Sequence, residues 1–230
     1  MEKRKGIFFD IGWTLMRPKR EWFLTDLFYS LVPEADKYQS KIEQAMVSAM
    51  WILDQNHRMD TLEQEETQFR QFYSSLLSAI PELKLGDDAA VALAHDKVYN
   101  YQNYVFFPDA VPVLSDLKTE YKIGIISDTW PSAECFLKEA GLYDLFDSFT
   151  FSYQLGVFKP DPKMYQDAIQ KLGIPATNTF FVDDSAECLA GAAMLGITPI
   201  QIMKKPDNIQ LEEALHINTL NELPRLLTTY

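Results

Sequence analysis

Two stretches of the sequence place carboxylates where they could act on a bound group. Asp10 ends the apolar run 6–9, and a hydroxyl follows four residues later at Thr14. Further along, another apolar run ends in the acidic pair Asp183-Asp184. A carboxylate presented at the end of a buried strand is a candidate nucleophile toward phosphorus. Clustered carboxylate oxygens are also the hard ligands that Mg²⁺ prefers. This pattern predicts carboxylate chemistry at a magnesium site.

Two more polar positions follow the same logic. Ser127 and Asp128 come directly after the apolar run 123–126, and Lys159 precedes a Pro-Asp-Pro sequence. Taken singly, an aspartate after a strand more often caps a helix, and a lysine is more often a surface residue. Ligands of open parallel sheets bind at the carboxyl ends of the strands. Several polar positions at that one edge therefore indicate a site.

The elements needed to position these residues are visible as hydrophobic patterns. From residue 105 onward, short apolar strands alternate with helical segments, for example a helix that starts at Asp161-Pro162 and ends at Gly173. Such alternation predicts an α/β fold, a doubly wound parallel sheet with helices on both faces. Between about 19 and 103, four stripes of apolar residues at helical spacing predict an all-helical block.

The helical block therefore interrupts the α/β pattern after its first strand. We predict a catalytic core formed by residues 1–17 and 105–230 and a helical cap formed by residues 18–104. A cleft between the two would hold the site and close by motion of the cap.

Four motifs of the chain resemble those of the haloacid dehalogenase (HAD) superfamily of hydrolases, in the branch with a helical cap inserted between motifs one and two. The first motif is a strand followed by Asp-x-Asp-Gly-Thr and corresponds to residues 10–14. The second, a strand ending in Ser or Thr, corresponds to Ser127. Residues 159–162 correspond to the Lys-Pro-Asp-Pro form of the third, and Asp183-Asp184 to the acidic pair of the fourth.

The resemblance implies magnesium-dependent hydrolysis of a small phosphorylated metabolite through an aspartyl-phosphate. It implies that Asp10 is the nucleophile, with Lys159 also catalytic. The implied metal ligands are Asp10, the carbonyl of Gly12, and the acidic pair Asp183 and Asp184, and the implied substrate-binding residues are Thr14, Ser127 and Asp128.

Residue 12 departs from the family pattern. Gly12 stands where family phosphatases carry a second Asp that protonates the leaving group and then activates water, and Trp13 replaces the usual small Gly. Three accounts follow. The substrate has a leaving group that needs no proton, or a cap residue such as His57 or Arg58 supplies the acid. Alternatively the chain is a metal-free dehalogenase. Finally, the site binds a phosphorylated ligand without turnover.

Composition limits the partners and the compartment. The 230 residues carry a formal net charge of −12, which argues against nucleic acid as a partner. The family resemblance implies a small phosphorylated or other anionic metabolite as the partner instead. No run approaches the ~20 apolar residues of a membrane span, and the charged start, residues 1–5, does not resemble a signal peptide. The two cysteines fit neither a zinc site nor a disulfide framework, so we predict a cytoplasmic protein. No sequence feature indicates an oligomeric state.

Overall fold

A computed structural model describes residues 5–21, 23–55, 57–206 and 208–229. The charged start considered above lies, except for Lys5, outside the described residues. The chain divides into two compact units. An α/β unit contains residues 1–17, 106–129 and 134–230, and a helical unit contains residues 18–105 and 130–133.

The strands are β1 (Gly6–Phe9), β2 (Met16–Pro18), β3 (Tyr104–Phe106), β4 (Lys122–Ser127), β5 (Ser148–Phe151), β6 (Thr179–Asp183), β7 (Thr198–Ile202) and β8 (Leu215–Ile217). The helices are α1 (Asp26–Leu31), α2 (Gln39–Asp54), α3 (Leu62–Ser78), α4 (Asp87–Tyr99), α5 (Ala110–Leu117), α6 (Ser132–Glu139), α7 (Ser152–Leu155), α8 (Pro162–Leu172), α9 (Ala186–Ala193) and α10 (Leu223–Leu227).

The α/β unit is built on a parallel sheet of six described strands in the order β5-β4-β1-β6-β7-β8. Every neighbouring pair in this order is parallel. The chain builds the sheet outward from β1 to β4 and β5, then returns to the other side of β1 with β6, β7 and β8. This reversal confirms the predicted doubly wound sheet and places the topological switch point at β1.

Strand β1 is a continuous apolar run because it lies in the middle of the sheet. Ile7, Phe8 and Phe9 are all fully buried, as expected of a parallel strand covered on both faces. Helix α8 packs on β4 and β5, and helix α9 packs on β6 and β7. The last residue of β1 is followed at once by Asp10, so the buried strand fixes where this carboxylate lies.

The helical unit has a hydrophobic core of its own. Helix α3 packs against both α2 and α4, and its buried face includes Phe69, Phe72 and Leu76. The amino end of α3 is fixed by a capping box, in which the side chains of Thr61 and Gln64 bond each other's backbone N–H. The four helices of this unit that the structure describes, α1 to α4, match the four predicted stripes.

The sequence patterns missed several features. Strands β2 and β3 pair as a separate two-stranded sheet, and β8 extends the main sheet beyond β7. Residues 130–133 belong to the helical unit, whereas the predicted core included them. Among the described residues, no helix combines the length and apolarity that crossing a bilayer requires.

Candidate active site

Three carboxylates converge at the carboxyl ends of β1 and β6. The N–H of Asp10 donates to the Val182 carbonyl at 2.9 Å, so Asp10 continues the ladder between these strands. Asp183 is the last residue of β6, and Asp184 follows it. One oxygen of each of the three aspartates lies within 4.8 Å of the other two. The parallel pairing of β1 with β6 is therefore what brings together residues that are more than 170 positions apart.

Lys159 joins two of these carboxylates. Its Nζ lies 2.7 Å from Asp10 Oδ1 and 2.7 Å from Asp183 Oδ2, and it also donates to the Ile126 carbonyl at 3.3 Å. The side chain is buried. Burial alone would lower the pKa of Lys159, but Asp10 and Asp183 outweigh it and raise that pKa well above its usual range. The ammonium is therefore a fixed positive charge.

One ammonium leaves the acidic cluster with an excess of negative charge. Burial and, after it, the neighbouring Asp183 and Asp10 raise the pKa of Asp184 to about 7. Burial also raises the pKa of Asp183, against the opposing effect of Lys159. Lys205 Nζ is 4.0 Å from Asp184 Oδ2 on a half-exposed side chain, so it screens the cluster weakly.

The cluster fits a divalent cation of the magnesium type. Its donors are carboxylate oxygens, without nitrogen or sulfur ligands among them, and Mg²⁺ takes oxygen ligands and is commonly held by one or two carboxylates. Burial is the main cause of the raised pKa of Asp184, and a cation here would relieve the additional contribution from repulsion by Asp183 and Asp10.

Residue 12 leaves space beside the cluster. A Cβ atom on Gly12 would lie 3.8 Å from Asp10 Oδ2, an ordinary contact distance, and apart from the two neighbours in the chain no other described residue comes closer. The next residue, Trp13, has a φ of 55°. This left-handed backbone favours glycine, which explains why the family motif has Gly at this position. The loop is closed by a hydrogen bond of 2.6 Å from Trp13 N–H to the Met16 carbonyl.

The second motif lies beside Lys159. Ser127 is the last residue of β4 and is buried. The Asp128 carboxylate accepts a hydrogen bond from the Lys159 backbone N–H at 2.9 Å. Burial raises the pKa of Asp128 to about 6, against the opposing effect of Lys159. One Asp128 oxygen therefore holds the loop that carries Lys159, and its predicted contact with substrate stays a prediction.

Thr14 is placed differently from the other predicted site residues. It is fully buried, and its Oγ1 has no hydrogen-bond partner among the described residues. The hydroxyl is thus enclosed by protein and is not exposed to a ligand in this conformation. Its predicted contact with substrate gains no support from the structure.

Sequence reasoning missed the groups that orient the acidic pair. Ser185 N–H donates to Asp183 Oδ1 at 2.7 Å. The Asp184 carbonyl accepts from Gln201 Nε2 at 3.0 Å and from Asn208 Nδ2 at 2.5 Å. Gln201 lies opposite Asp183 in the β6–β7 register and is fully buried. The signal available in the sequence was a polar residue, Gln201, with an isoleucine on each side.

Comparison with known proteins gives this arrangement a family. The model of the haloacid dehalogenase-like hydrolases matches residues 5–196. The chain belongs to this family of hydrolases. The membership confirms the resemblance drawn from the four motifs and accounts for the α/β fold.

Relatives of this haloacid dehalogenase-like hydrolase include two kinds of enzyme. A phosphatase of Mycobacterium tuberculosis is 36% identical over 137 residues, which are 57% of this chain and 60% of that protein. An (S)-2-haloacid dehalogenase of Burkholderia cepacia is 31% identical over 132 residues, 55% of this chain and 57% of that protein. The chain thus spans about 60% of the length of these two relatives.

Solved structures show the same fold. The crystal structure of an HAD phosphatase from Thermococcus onnurineus superimposes with a TM-score of 0.63 at 25% identity, covering 97% of both chains. The protein is therefore a haloacid dehalogenase-like hydrolase, with phosphatases and dehalogenases among its relatives.

Proposed function

We propose that this hydrolase cleaves a small phosphorylated metabolite with the help of Mg²⁺ through an aspartyl-phosphate on Asp10. The observation that carries the proposal is the cluster of three carboxylates, whose oxygens approach one another within 4.8 Å. Displacement of halide from carbon by a carboxylate requires no metal. A group of acids with oxygens this close is the kind of site in which a divalent cation is bound.

The reaction starts at the carboxylate of Asp10. One of its oxygens attacks phosphorus, and the bond between phosphorus and the leaving-group oxygen breaks. Water then attacks the phosphorus of the aspartyl-phosphate, which releases inorganic phosphate and restores the carboxylate. Lys159, 2.7 Å from Asp10 Oδ1, holds the nucleophile in place and offers positive charge to the phosphoryl oxygens. Ser127 and nearby backbone N–H groups donate to the same oxygens.

The residues proposed to hold the ion are Asp10, Asp184, the carbonyl of Gly12 and, in support, Asp183. When bound, Mg²⁺ would reduce the repulsion between an anionic nucleophile and an anionic phosphate. Asp128 retains the role suggested by its contact, which is to fix the Lys159 backbone beside the phosphoryl group.

Gly12 restricts the substrates that react well. A residue with no side chain cannot deliver a proton to a departing alkoxide, and such proton transfer is typically worth about 10²–10⁴-fold in rate. We therefore propose that good substrates have leaving groups of low pKa, such as acyl phosphates or phenyl phosphates. The cytoplasmic location predicted from the cysteines remains part of this proposal, and both Cys135 and Cys188 are free thiols.

A second candidate function is hydrolysis at carbon. Gly12 and the (S)-2-haloacid dehalogenase relative favour it. In this reaction Asp10 would attack the carbon that bears the halogen, halide would leave, and water would hydrolyse the resulting ester. The acidic cluster counts against this reading, because repulsion among its carboxylates has no function in a metal-free displacement.

One substrate panel separates the two candidates. It contains para-nitrophenyl phosphate, acetyl phosphate, two alkyl phosphates and 2-chloropropionate, each with magnesium and with a chelator. We expect phosphate release from the first two compounds that stops with the chelator and is abolished in Asp10→Asn. Chloride release that is indifferent to the chelator would overturn the phosphatase proposal in favour of the dehalogenase. Release of neither phosphate nor chloride would leave only ligand binding.

A further inference from the structure

A carboxylate buried in the helical unit bonds the segment that follows the second motif. Glu65, on α3, is fully buried. Its Oε2 accepts from the Ser132 backbone N–H at 2.7 Å, and its Oε1 accepts from the Ser132 hydroxyl at 2.6 Å. Both oxygens of one carboxylate are thus engaged by one residue, 67 positions away in the sequence. Such charge-assisted bonds are about twice as strong as neutral ones.

The same segment has further anchors within the helical unit. Trp130 Nε1 donates to Gln68 Oε1 at 2.9 Å, and the Gln68 amide in turn donates to the Gln55 carbonyl at 2.9 Å. The Trp130 ring packs against Phe23 and Phe69 at centroid distances of 5.5 and 5.4 Å. Residues 130–133 are therefore built into the hydrophobic core of the helical unit.

A buried cation accompanies the carboxylate. Lys97 Nζ is 3.9 Å from Glu65 Oε1 and lies over the Phe69 ring, 4.5 Å from its centroid. Burial raises the pKa of Glu65, whereas Lys97 and Ser132 oppose that rise. Buried ion pairs of this kind are often no more stabilising than well-packed apolar residues. A contribution to stability is therefore a weak explanation for the buried Glu65 carboxylate. Its bonds to Ser132 indicate instead that it positions the segment that contains this residue.

The position concerned is that of the second motif. In the α/β unit, Ser152 Oγ accepts from the Thr129 N–H at 2.8 Å and donates to the Thr129 carbonyl at 3.1 Å. The next residue, Trp130, is already held by the helical unit. The backbone that follows Ser127 and Asp128 is therefore held at two adjacent residues. Thr129 is bonded within the α/β unit, and Trp130 is bonded within the helical unit. We propose that Glu65 is a positioning residue, which holds residues 130–133 so that the second motif keeps its phosphoryl-binding conformation.

This role rests on the proposed phosphatase function, but part of its test does not. Hydrogen exchange followed by mass spectrometry measures the opening of the peptide spanning residues 127–136 directly. In Glu65→Gln, the amide oxygen can still accept from the Ser132 N–H, and the amide NH₂ can donate to the Ser132 hydroxyl oxygen. Both charge-assisted bonds therefore become neutral bonds, which are about half as strong. We expect exchange in this peptide to quicken by about tenfold or more. Exchange in α2 should not change, whereas α4 carries Lys97, the buried partner of Glu65, and is not used as a control.

The matched control is Glu66→Gln on the same helix, whose carboxylate accepts from His95 on the surface instead. It should behave like the wild type. A second pair of variants changes Ser132 and leaves the Glu65 carboxylate in place. Ser132→Ala keeps the backbone donor and deletes the hydroxyl, whereas Ser132→Thr keeps both donors. The alanine variant should show the faster exchange, and the threonine variant should restore the wild-type rate. This pair decides the question if Glu65→Gln does not fold.

The functional arm measures hydrolysis of para-nitrophenyl phosphate and calorimetric binding of magnesium. Glu65→Gln should lower kcat by about tenfold, as expected when two bonds to a charged group become neutral ones, and leave magnesium affinity unchanged. Exchange at the wild-type rate in residues 127–136, or faster exchange throughout the helical unit, would overturn the positioning role. If the wild type hydrolyses no phosphate ester, the proposed function fails, while the exchange experiment still decides whether Glu65 orders the segment.

Discussion

At the scale of single residues, the site combines a strong electrostatic constraint with an unusual gap. Lys159 contacts Asp10 and Asp183 at 2.7 Å each, so Asp10, the proposed nucleophile, is held in a fixed orientation. At residue 12 the side chain that would serve as acid and base is missing, although the space for its first carbon is open. Position 12 therefore lacks an acid-base group although it has room for one, and a substitution at this position can test the consequence.

Replacing Gly12 with Asp should restore proton delivery to poor leaving groups. A Cβ there has its nearest contact at 3.8 Å, from Asp10 Oδ2, so the backbone should accept the side chain. We expect kcat/KM for alkyl phosphates, which reports the leaving-group step, to rise by about 10²-fold, the low end of general acid catalysis, with little change in kcat/KM for para-nitrophenyl phosphate. Gly12→Asn is the control of equal size without an acid. An equal gain in both variants would show that the effect is not proton transfer. In the wild type, rates independent of leaving-group pKa would mean that another residue already donates the proton.

Removing one charge from the acidic cluster should stabilise the metal-free protein and should abolish its stabilisation by magnesium. The oxygens of Asp10, Asp183 and Asp184 lie within 4.8 Å of one another, so Asp184→Asn relieves repulsion in the metal-free protein. We expect its free energy of unfolding in a chelator to exceed that of the wild type by about 1–2 kcal/mol. Magnesium should raise the Tm of the wild type and leave that of the variant nearly unchanged. An equal rise in both proteins would remove Asp184 from the metal site.

At the scale of elements, the sequence predicted those features whose cause lies in neighbouring residues of the chain. Helix α8 begins as predicted, because the Asp161 carboxylate caps Lys163 N–H and Pro162 occupies the first turn, and it ends at Gly173 with a φ of +70°. Strand β8 has three residues and is stabilised by pairing with β7, so periodicity could not reveal it. Likewise, the four site motifs could be recognised in the sequence. The hydrogen bond from Gln201 to the Asp184 carbonyl could not, because it depends on the register between β6 and β7.

The connection between α2 and α3 supplies a pH-dependent contribution to stability. His57 is buried there against the Trp130 ring, at a centroid distance of 5.2 Å, and burial lowers its pKa from 6.5 to about 4. A lowered folded-state pKa gives stability that is present above 6.5 and lost as the pH falls toward 4. His57→Phe keeps a ring but cannot titrate. Between pH 7 and pH 4.5, the wild type should lose about 1–2 kcal/mol more unfolding free energy than this variant.

The comparison uses the change with pH, so any difference at pH 7 is subtracted. Parallel denaturation curves for His57→Phe and the wild type would show that His57 titrates normally in the folded protein.

At the scale of the whole molecule, the chain crosses from one unit to the other more often than a simple insertion requires. Besides the boundaries near residues 17 and 105, residues 130–133 belong to the helical unit. The sequence pattern assigned residues 130–133 to the predicted core. It could not show that Glu65, 67 positions earlier, bonds Ser132. Long-range polar contacts of this kind form only in the folded protein, so hydrophobic patterns in the sequence cannot predict them.

The net charge of the whole chain should be visible in the kinetics. A formal charge of −12 repels a phosphate dianion, and salt shortens the range of that repulsion from about 30 Å at 0.01 M to about 8 Å at 0.15 M. With magnesium saturating, we therefore expect kcat/KM for para-nitrophenyl phosphate to rise by about two- to threefold over this range. Glu212→Lys together with Glu213→Lys changes two exposed positions. Each substitution adds two positive charges, so the formal charge becomes −8, and the salt dependence should flatten. A kcat/KM that falls as salt is added would mean that a local basic cluster, with Arg17, Lys19 and Arg20 as the candidates, attracts the substrate despite the overall charge.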